Sequence, residues 1–268
     1  MDSRIAECLS TFDTISLDGL NGKAAMLERL DNKYIVPAVR LVPVFTQFGE
    51  LFDVLEIKGK RAFTYATNYF DNEAAQSYND HHQGRRKRCK VRIRHYVDAG
   101  FSYLEVKLKD TRNVTVKKRL KLPPFADGLC EESRAFIDTC HTDLYGVPLG
   151  RDLQPAIGME YERITLVAKE GGERMTIDTR LQFRAANVER DASADMLILE
   201  TKSARGNGIA DKILRSHHLH PTRKCSKYCI GMAALGQVQR HNLFLPAIRK
   251  LALMEQPLRI TKNTGIAA

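Results

Sequence analysis

The sequence predicts an α+β fold in which eight antiparallel strands form a barrel around a charged tunnel, with helices packed on the outside. Eight segments alternate polar with apolar residues as strands do, and the stretches between them leave little room for parallel crossovers. Eight antiparallel strands are sufficient to close a barrel. The charged residues form rows, since Lys90, Arg92 and Arg94 alternate with Val91 and Ile93. A row of cations on one strand face suits a polyanion such as a phosphate chain.

The alternation recurs later in the chain, where Lys107 follows Glu105 and Lys202 follows Glu200 at two-residue spacing. Residues two apart on a strand share a face, so each of these strands has a charged face and an apolar face. If the charged faces turn inward, the barrel has a polar lumen. If they turn outward, the protein is an ordinary barrel with a basic surface. The recurrence over several strands favours the inward arrangement.

The first half of the chain is predicted to contain five of the strands. Residues 1–26 precede them as a helical lead-in, because Ile5 and Leu9 have helical spacing. Residues 38–53 also have a helix-like pattern, which Pro43 interrupts. Alternation and β-branched or aromatic residues then define the strands. They are predicted at 27–36, 62–70, 87–97, 101–110 and 114–122.

The second half is predicted to contain the remaining three strands and most of the helices. A helix at 131–145 separates the two groups of strands, and further helices are predicted at 208–217 and 227–240. Residues 243–268 are expected to form one short helix and a frayed tail. The strands are predicted at 158–167, 174–181 and 195–203.

Length and composition fit one large domain with an extension at each end. The chain has 268 residues, of which 43% are hydrophobic, and these are sufficient for a sizeable core. We therefore expect a helical lead-in at 1–26, a barrel domain at 27–240 and a C-terminal helix and tail at 241–268.

The formal net charge of +10 points to an anionic partner such as a nucleotide, polyphosphate, nucleic acid or anionic lipid. Nucleic acid is disfavoured, because the chain has no Trp, only 7% aromatic residues and no Lys/Arg-Gly-aromatic stacking motif. No apolar run approaches the roughly 20 residues of a membrane helix. The N-terminal residues lack a basic start followed by an apolar stretch, so no secretory signal is expected and the predicted location is cytoplasmic.

Nine short segments follow one another in a recognisable order: RLDNKYIV (29–36), TNYFD (67–71), KVRIRHY (90–96), YLEVKLK (103–109), VKKRLKL (116–122), MEYERITL (159–166), RMTIDTRL (174–181), LILETKS (197–203) and KCSKYCIGM (224–232). No single segment is specific, but the nine in sequence resemble the VTC domain. That domain is the polyphosphate polymerase module of the triphosphate tunnel metalloenzyme superfamily.

The resemblance implies a tunnel of eight antiparallel strands, open at both ends, in which the γ-phosphate of ATP is transferred to a growing polyphosphate chain. It implies catalytic roles for Lys107, Arg92, Arg94 and Glu200, with Glu200 also binding Mn²⁺ or Mg²⁺. ATP and inorganic polyphosphate or pyrophosphate are the implied partners. The phosphate-binding residues implied by the resemblance, or predicted as additional lining, are Lys33, Lys90, Arg92, Arg94, Lys107, Lys118, Arg163, Arg174, Lys202 and Lys227.

The first strand departs from the pattern of the superfamily's hydrolases, which usually begin with Glu-x-Glu-x-Lys. Here Arg29 and Asp31 occupy the two glutamate positions before Lys33. This departure disfavours a two-metal hydrolase and favours the polymerase branch, whose pattern it resembles.

Several alternatives stay open at this point. A tripolyphosphatase or nucleoside triphosphatase of the same fold would hydrolyse triphosphate without chain growth, and a non-catalytic polyphosphate binder would do neither. Glu200 in a simple ion pair with a neighbouring lysine is the alternative to metal ligation. The sequence has no membrane span, so any export of product would need a membrane partner.

Overall fold

The computed structural model describes residues 3–23, 30–110 and 114–261. Within these ranges the fold is mixed α+β, with one large and mostly antiparallel sheet. The strands are β1 (Thr14–Ile15), β2 (Leu30–Pro37), β3 (Phe52–Leu55), β4 (Ala62–Asp71), β5 (Cys89–Tyr96), β6 (Phe101–Lys109), β7 (Thr115–Leu122), β8 (Gln154–Ala168), β9 (Arg174–Ala185), β10 (Val188–Asp191), β11 (Met196–Ser203) and β12 (Arg259–Ile260). The helices are α1 (Ser3–Ser10), α2 (Leu17–Lys23), α3 (Ala38–Leu51), α4 (Gln76–His82), α5 (Glu131–Tyr145), α6 (Ile209–Ser216), α7 (Lys227–Ala234) and α8 (Leu245–Lys250).

The eight predicted strands all have counterparts, and they pair in the order β2-β11-β9-β8-β4-β5-β6-β7. Every pair on this path is antiparallel. Among the described residues no backbone pairing joins β7 to β2, so the predicted closed barrel is not observed. A physical reason lies in β7, which carries Lys117, Lys118, Arg119 and Lys121. Charged side chains along an edge strand oppose further strand pairing.

The sheet has an apolar face that helices cover and a polar face opposite to it. We define the apolar face by residues such as Ile93, Leu104 and Leu199, which are fully buried. Ile93 and Leu104 belong to a cluster that includes Ile137 of α5, and Leu199 belongs to a second cluster formed with α1, α3 and α6. Burial of this face therefore supplies much of the hydrophobic stabilisation of the sheet.

Helix α7 corrects the prediction that the helices pack on the outside, because it lies against the polar face. The ring centroids of Tyr228 in α7 and Tyr69 in β4 are 5.0 Å apart. Lys227 Nζ lies 5.2 Å from the ring centroid of Tyr161 in β8. Tyr228 is also part of the cluster that contains Ile157. Helix α7 thus covers the end of the polar face that carries Tyr69 and Ile157. The sequence had predicted a tunnel open at both ends.

Two local predictions are also wrong. Helix α3 continues through Pro43, which removes the amide that would bond to the Val39 carbonyl. Val39 is on the exposed side of the helix, where that carbonyl can bond to water. Residues 52 and 53, predicted as the end of the helix, are extended in β3 because Phe52 and Asp53 pair with β8. The short strands β1, β10 and β12 were not predicted.

Gly231 allows the close approach of α7 to the sheet. A Cβ atom at this position would lie 2.7 Å from side-chain carbons of both Ile157 and Phe183. We expect Gly231→Ala to lower the free energy of unfolding by about 1–3 kcal/mol through overpacking. Gly128→Ala is the matched control, since nothing lies within 4 Å of the added Cβ. Equal stability of the two variants in urea denaturation would contradict this placement of α7.

Candidate functional site

Strand register places most of the predicted site residues on the polar face. Lys33 of β2 lies opposite Glu200 of β11, and Arg92 of β5 lies opposite Glu105 of β6. Arg163 of β8 lies opposite Asp178 of β9 in the same way. Directly opposed residues share a face of the sheet. The same face carries Lys90, Arg94, Lys107, Arg174 and Lys202.

Glu200 forms the first of three carboxylate centres on the polar face. Its Oε1 lies 3.4 Å from Lys33 Nζ and 3.1 Å from Lys202 Nζ. Burial alone would raise the pKa of Glu200, but Lys202, Lys33 and Arg163 together hold it well below its usual value. Glu200 is therefore a carboxylate anion at neutral pH, the form that binds a divalent cation.

Asp178 forms the second centre and is fully buried. Arg163 donates to its two oxygens from Nε at 2.6 Å and from Nη2 at 2.8 Å. Lys227, the first residue of α7, donates to Asp178 Oδ2 as well. Burial favours the neutral acid, yet the two cations lower the pKa of Asp178 far below its usual range. The two-residue spacing of Arg174, Thr176 and Asp178 indicates a charged face for β9, but no local pattern predicts the partners of Asp178.

Glu105 forms the third centre, and sequence reasoning assigned no role to it. Arg92 Nη2 and Lys117 Nζ each lie 2.5 Å from a Glu105 oxygen, and Arg119 Nε lies 3.1 Å away. Arg94 Nη1 is more distant, at 3.8 Å. These cations hold the pKa of Glu105 far below its usual range against the effect of burial. The ion pairs fix the arginine side chains before any ligand binds.

Lys118 is the one predicted residue that the structure places on the other face. It lies opposite Val106, which belongs to the buried cluster beneath α5. The residues of β7 on the polar face are Lys117 and Arg119, one position away on either side. A run of three cations has no alternation, so the sequence gives no signal for the correct face. Arg29 lies outside the described residues.

Lys90 and the aromatic side chains complete the polar face. Lys90 donates to Ser226 Oγ at 2.9 Å, just before α7. The Arg163 guanidinium lies 5.2 Å from the ring centroids of both Tyr65 and Tyr161. The Tyr161 hydroxyl is buried and has no hydrogen-bond partner within the described part of the chain. The described residues therefore supply no hydrogen-bond acceptor for a buried hydroxyl that lies beside an arginine.

Three lysines of the polar face titrate near neutral pH, and one of them is Lys117, whose pKa burial lowers to about 7. Burial lowers the pKa of Lys107 to about 8, and repulsion from Lys33 contributes to the shift. Burial also lowers the pKa of Lys202 to about 8, although attraction to Glu200 opposes the change. Lys107 is nevertheless exposed to solvent. Both observations fit a side chain that points into a water-accessible hollow with protein around it.

We expect the affinity for inorganic tripolyphosphate to fall between pH 7 and pH 9, because Lys107 and Lys202 lose protons there. The stability of the free protein should change in the opposite direction. Each lysine has a folded pKa below its unfolded value of about 10.4, so the folded state binds fewer protons and the free energy of unfolding rises with pH across this window.

Calorimetric titration of the wild type and of Lys107→Gln separates this effect from the ionisation of the ligand, which is common to both proteins. The variant should bind more weakly at pH 7 and show a smaller pH dependence. Identical pH profiles for the two proteins would contradict the titration of Lys107 in the site.

Divalent metal ligands are sparse on the polar face. No group of three or more His, Cys, Asp or Glu side chains that could hold an ion occurs in residues 3–23, 30–110 and 114–261. Besides Glu200, the adjacent carboxylates in register are Asp31 of β2, which lies opposite Lys202, and Asp178 of β9, which lies opposite Ile198. A metal here would therefore complete its coordination with oxygens that the protein does not supply.

None of the described helices is long and apolar enough to cross a membrane.

Comparison with protein-family models gives a match that spans most of the chain. The family model described as "VTC domain" matches residues 28–236. No curated protein matches the sequence.

Three solved structures illustrate the structural similarity. The putative adenylyl cyclase HpAC1 from Hippeastrum, described as having a dominant triphosphatase activity, is 14% identical with a TM-score of 0.45, over 81% of this chain and 100% of that one. The PH1012 protein from Pyrococcus horikoshii OT3 is 14% identical with a TM-score of 0.39, over 72% and 91% of the two chains. The S. pombe Pct1 RNA triphosphatase is 11% identical with a TM-score of 0.27, over 94% and 93%.

Proposed function

Because the chain belongs to the VTC domain family, we propose that it is an ATP-dependent polyphosphate polymerase. It transfers the γ-phosphate of ATP to the end of a growing inorganic polyphosphate chain. The observation that carries this proposal is the convergence of cations from β2, β5, β6, β8 and β11 on one face of the sheet. Such a face matches the dense negative charge of a phosphate chain.

The charges of distant strands act on one another, which supports a tunnel. Lys107 lies on β6, whereas Lys33 and Glu200 lie on β2 and β11 at the other end of the strand order. Both nevertheless act on the pKa of Lys107, and charge interactions in water fade beyond roughly 10 Å. This mutual influence supports a sheet whose two ends curl towards each other. In this proposal side chains fill the gap between β7 and β2, and no backbone hydrogen bonds join the two strands.

Phosphoryl transfer needs alignment of the reacting groups and neutralisation of charge more than covalent help from the protein. An ionised terminal oxygen of the acceptor chain attacks the γ-phosphorus, and the bond to the β–γ bridging oxygen breaks, so that ADP leaves with the electron pair. Arg92, Arg94 and Arg163 offer planar forks to phosphate oxygens, and Lys107 and Lys227 act as point charges. No general base is needed because the acceptor oxygen is already ionised.

Glu200 is the residue that would hold Mg²⁺ or Mn²⁺, with Asp31 of the adjacent strand β2 as a supporting carboxylate. The donor set fits, because such ions often take one or two protein carboxylates and complete their coordination with water and substrate phosphates. When bound, the ion supplies charge neutralisation and Lewis acidity at the phosphate oxygens. The buried hydroxyl of Tyr161, which has no partner among the described residues, remains available to a phosphate oxygen.

A triphosphatase of the same fold is the second candidate, and Asp31 is the observation that favours it. Asp31 leaves one carboxylate at the start of β2, where the superfamily's hydrolases usually have two glutamates. Water would then replace the phosphate chain as the acceptor. Arg29 at the other glutamate position supports the polymerase instead.

Incubation of the purified protein with ATP and Mn²⁺ or Mg²⁺ tests the proposal. The expected products are ADP and acid-labile phosphate chains that grow with time. Release of inorganic phosphate without chains would identify a triphosphatase and overturn the polymerase. Binding of polyphosphate without any turnover of ATP would identify a non-catalytic binder.

A further inference from the structure

Four aromatic side chains cluster at one end of the polar face. We refer to Tyr65, Tyr96, Phe101 and Tyr103 as the aromatic rim. The Tyr65 and Tyr96 ring centroids are 4.9 Å apart, those of Tyr96 and Phe101 are stacked at 4.6 Å, and those of Phe101 and Tyr103 are 5.6 Å apart. All four residues are partly buried and partly exposed. The rim is therefore a continuous aromatic surface that solvent reaches.

The register assigns the rim to the polar face. Tyr96 lies opposite both Tyr65 and Phe101, and Tyr103 lies opposite Arg94. Lys90, which contacts the start of α7, lies six residues before Tyr96 on β5. Six residues of strand span roughly 20 Å. The rim is thus at the end of β5 away from α7.

Cations adjoin the rim directly. The Arg94 guanidinium lies 5.5 Å from the Tyr65 ring centroid, and the Arg119 guanidinium lies 5.7 Å from the Tyr103 ring centroid. Arg94 and Arg119 also reach the Glu105 centre. The aromatic rim therefore directly adjoins Arg94 and Arg119 on the polar face.

A role in the hydrophobic core does not explain the aromatic rim. The buried apolar clusters formed by the described residues include none of Tyr96, Phe101 and Tyr103, and Tyr65 only packs against the edge of one. Partly exposed rings beside phosphate-binding cations suit a ligand that has a flat aromatic part joined to an anionic part.

We propose that the aromatic rim binds the base of a nucleoside triphosphate donor by stacking, while the adjoining arginines hold its phosphates. This inference rests on the proposed use of ATP and assigns residues that distinguish donor from acceptor. Inorganic polyphosphate has no base, so the rim contributes nothing to its binding. A stacking surface accepts any base, because every base has a π-face.

The turn between β5 and β6 holds the rim in place. Asp98 in this turn accepts a hydrogen bond from Lys60 Nζ at 2.8 Å and another from the backbone amide of Thr64 at 2.6 Å. Both contacts tie the tip of the hairpin to β4 and its approach, and so hold Tyr96 and Phe101 beside Tyr65. Rings that are positioned before binding lose less entropy when a base stacks on them.

Calorimetric titration with ATP and with inorganic tripolyphosphate, both in Mg²⁺, tests the proposal on Tyr96→Leu and Phe101→Leu. Each variant removes a ring and keeps an apolar side chain. We expect the Kd for ATP to rise about tenfold, within the range that base stacking provides. The Kd for tripolyphosphate should stay within about twofold, since stacking makes no contribution to it. Phe125→Leu is the control, because Phe125 is 63% exposed and stacks on His95 outside the polar face.

The outcomes separate this inference from the proposed function. Equal loss of affinity for both ligands, or no loss for either, would overturn the rim as a base-binding site. A wild-type protein that binds tripolyphosphate but not ATP would overturn the proposed donor as well. If the variants misfold, a fluorescence measurement on the wild-type protein tests the proposal instead. Ethenoadenosine triphosphate should lose fluorescence when it binds, because its base stacks on the aromatic rim. Unchanged fluorescence of the bound nucleotide would contradict the proposal.

Discussion

Replacing Glu200 by glutamine is expected to lower the turnover of ATP by about 10²-fold or more, a loss typical of removing a preorganised charge from an active site. Glutamine keeps the size of the side chain and removes the anion that Lys33 and Lys202 contact. The variant should remain folded, because both lysines can release a proton, and the pKa of Lys202 is already lowered to about 8. Steady-state release of ADP measures the effect.

Glu189→Gln is the matched control for this prediction. Glu189 Oε1 lies 2.8 Å from Arg259 Nε at the far edge of the sheet, away from the polar face. Its loss should leave turnover unchanged. Near-normal turnover in Glu200→Gln would remove Glu200 from the chemistry and with it the metal assignment.

Replacing Asp178 by asparagine is expected to destabilise the protein by about 3–5 kcal/mol, the cost of breaking a buried ion pair from one side. Asp178 is fully buried, and its two oxygens accept from Arg163 and Lys227. Arg163 cannot release its proton, so its charge would remain buried without the carboxylate. Urea denaturation of the free protein measures the loss.

Two comparisons sharpen the Asp178 experiment. Asp195→Asn removes a carboxylate from an exposed pair with Arg4 and should cost less than about 1 kcal/mol. Tripolyphosphate should restore part of the stability of Asp178→Asn, because it returns negative charge to Arg163 and Lys227. A loss in Asp178→Asn no larger than that in Asp195→Asn would show that the Asp178 pair is not a buried centre.

Strand alternation was sufficient to predict which residues of β5 share the charged face. A two-residue period places Lys90, Arg92 and Arg94 on one face whatever their neighbours are, and the structure has them there. The same reasoning failed for Lys118, because three consecutive cations in β7 leave the period without a marker. Alternation identifies a face only where an apolar residue interrupts the charges.

The ion-pair centres and the position of α7 depend on contacts between distant parts of the chain. Lys227 reaches Asp178 across 49 residues, and no local pattern connects the two. Glu105 resembles any charged strand residue until the register places Arg92 and Arg119 beside it. Closure of the predicted barrel is not observed among the described residues, because the number of strands permits closure but the edge residues of β7 and β2 decide it.

A crystal structure with inorganic tripolyphosphate and Mn²⁺ tests most directly whether the polar face is the phosphate-binding site. We expect phosphates beside Lys107, Arg163 and Lys227, with an anomalous manganese signal next to Glu200. Phosphates found only at exposed basic segments such as 85–88, with none on the polar face, would contradict it.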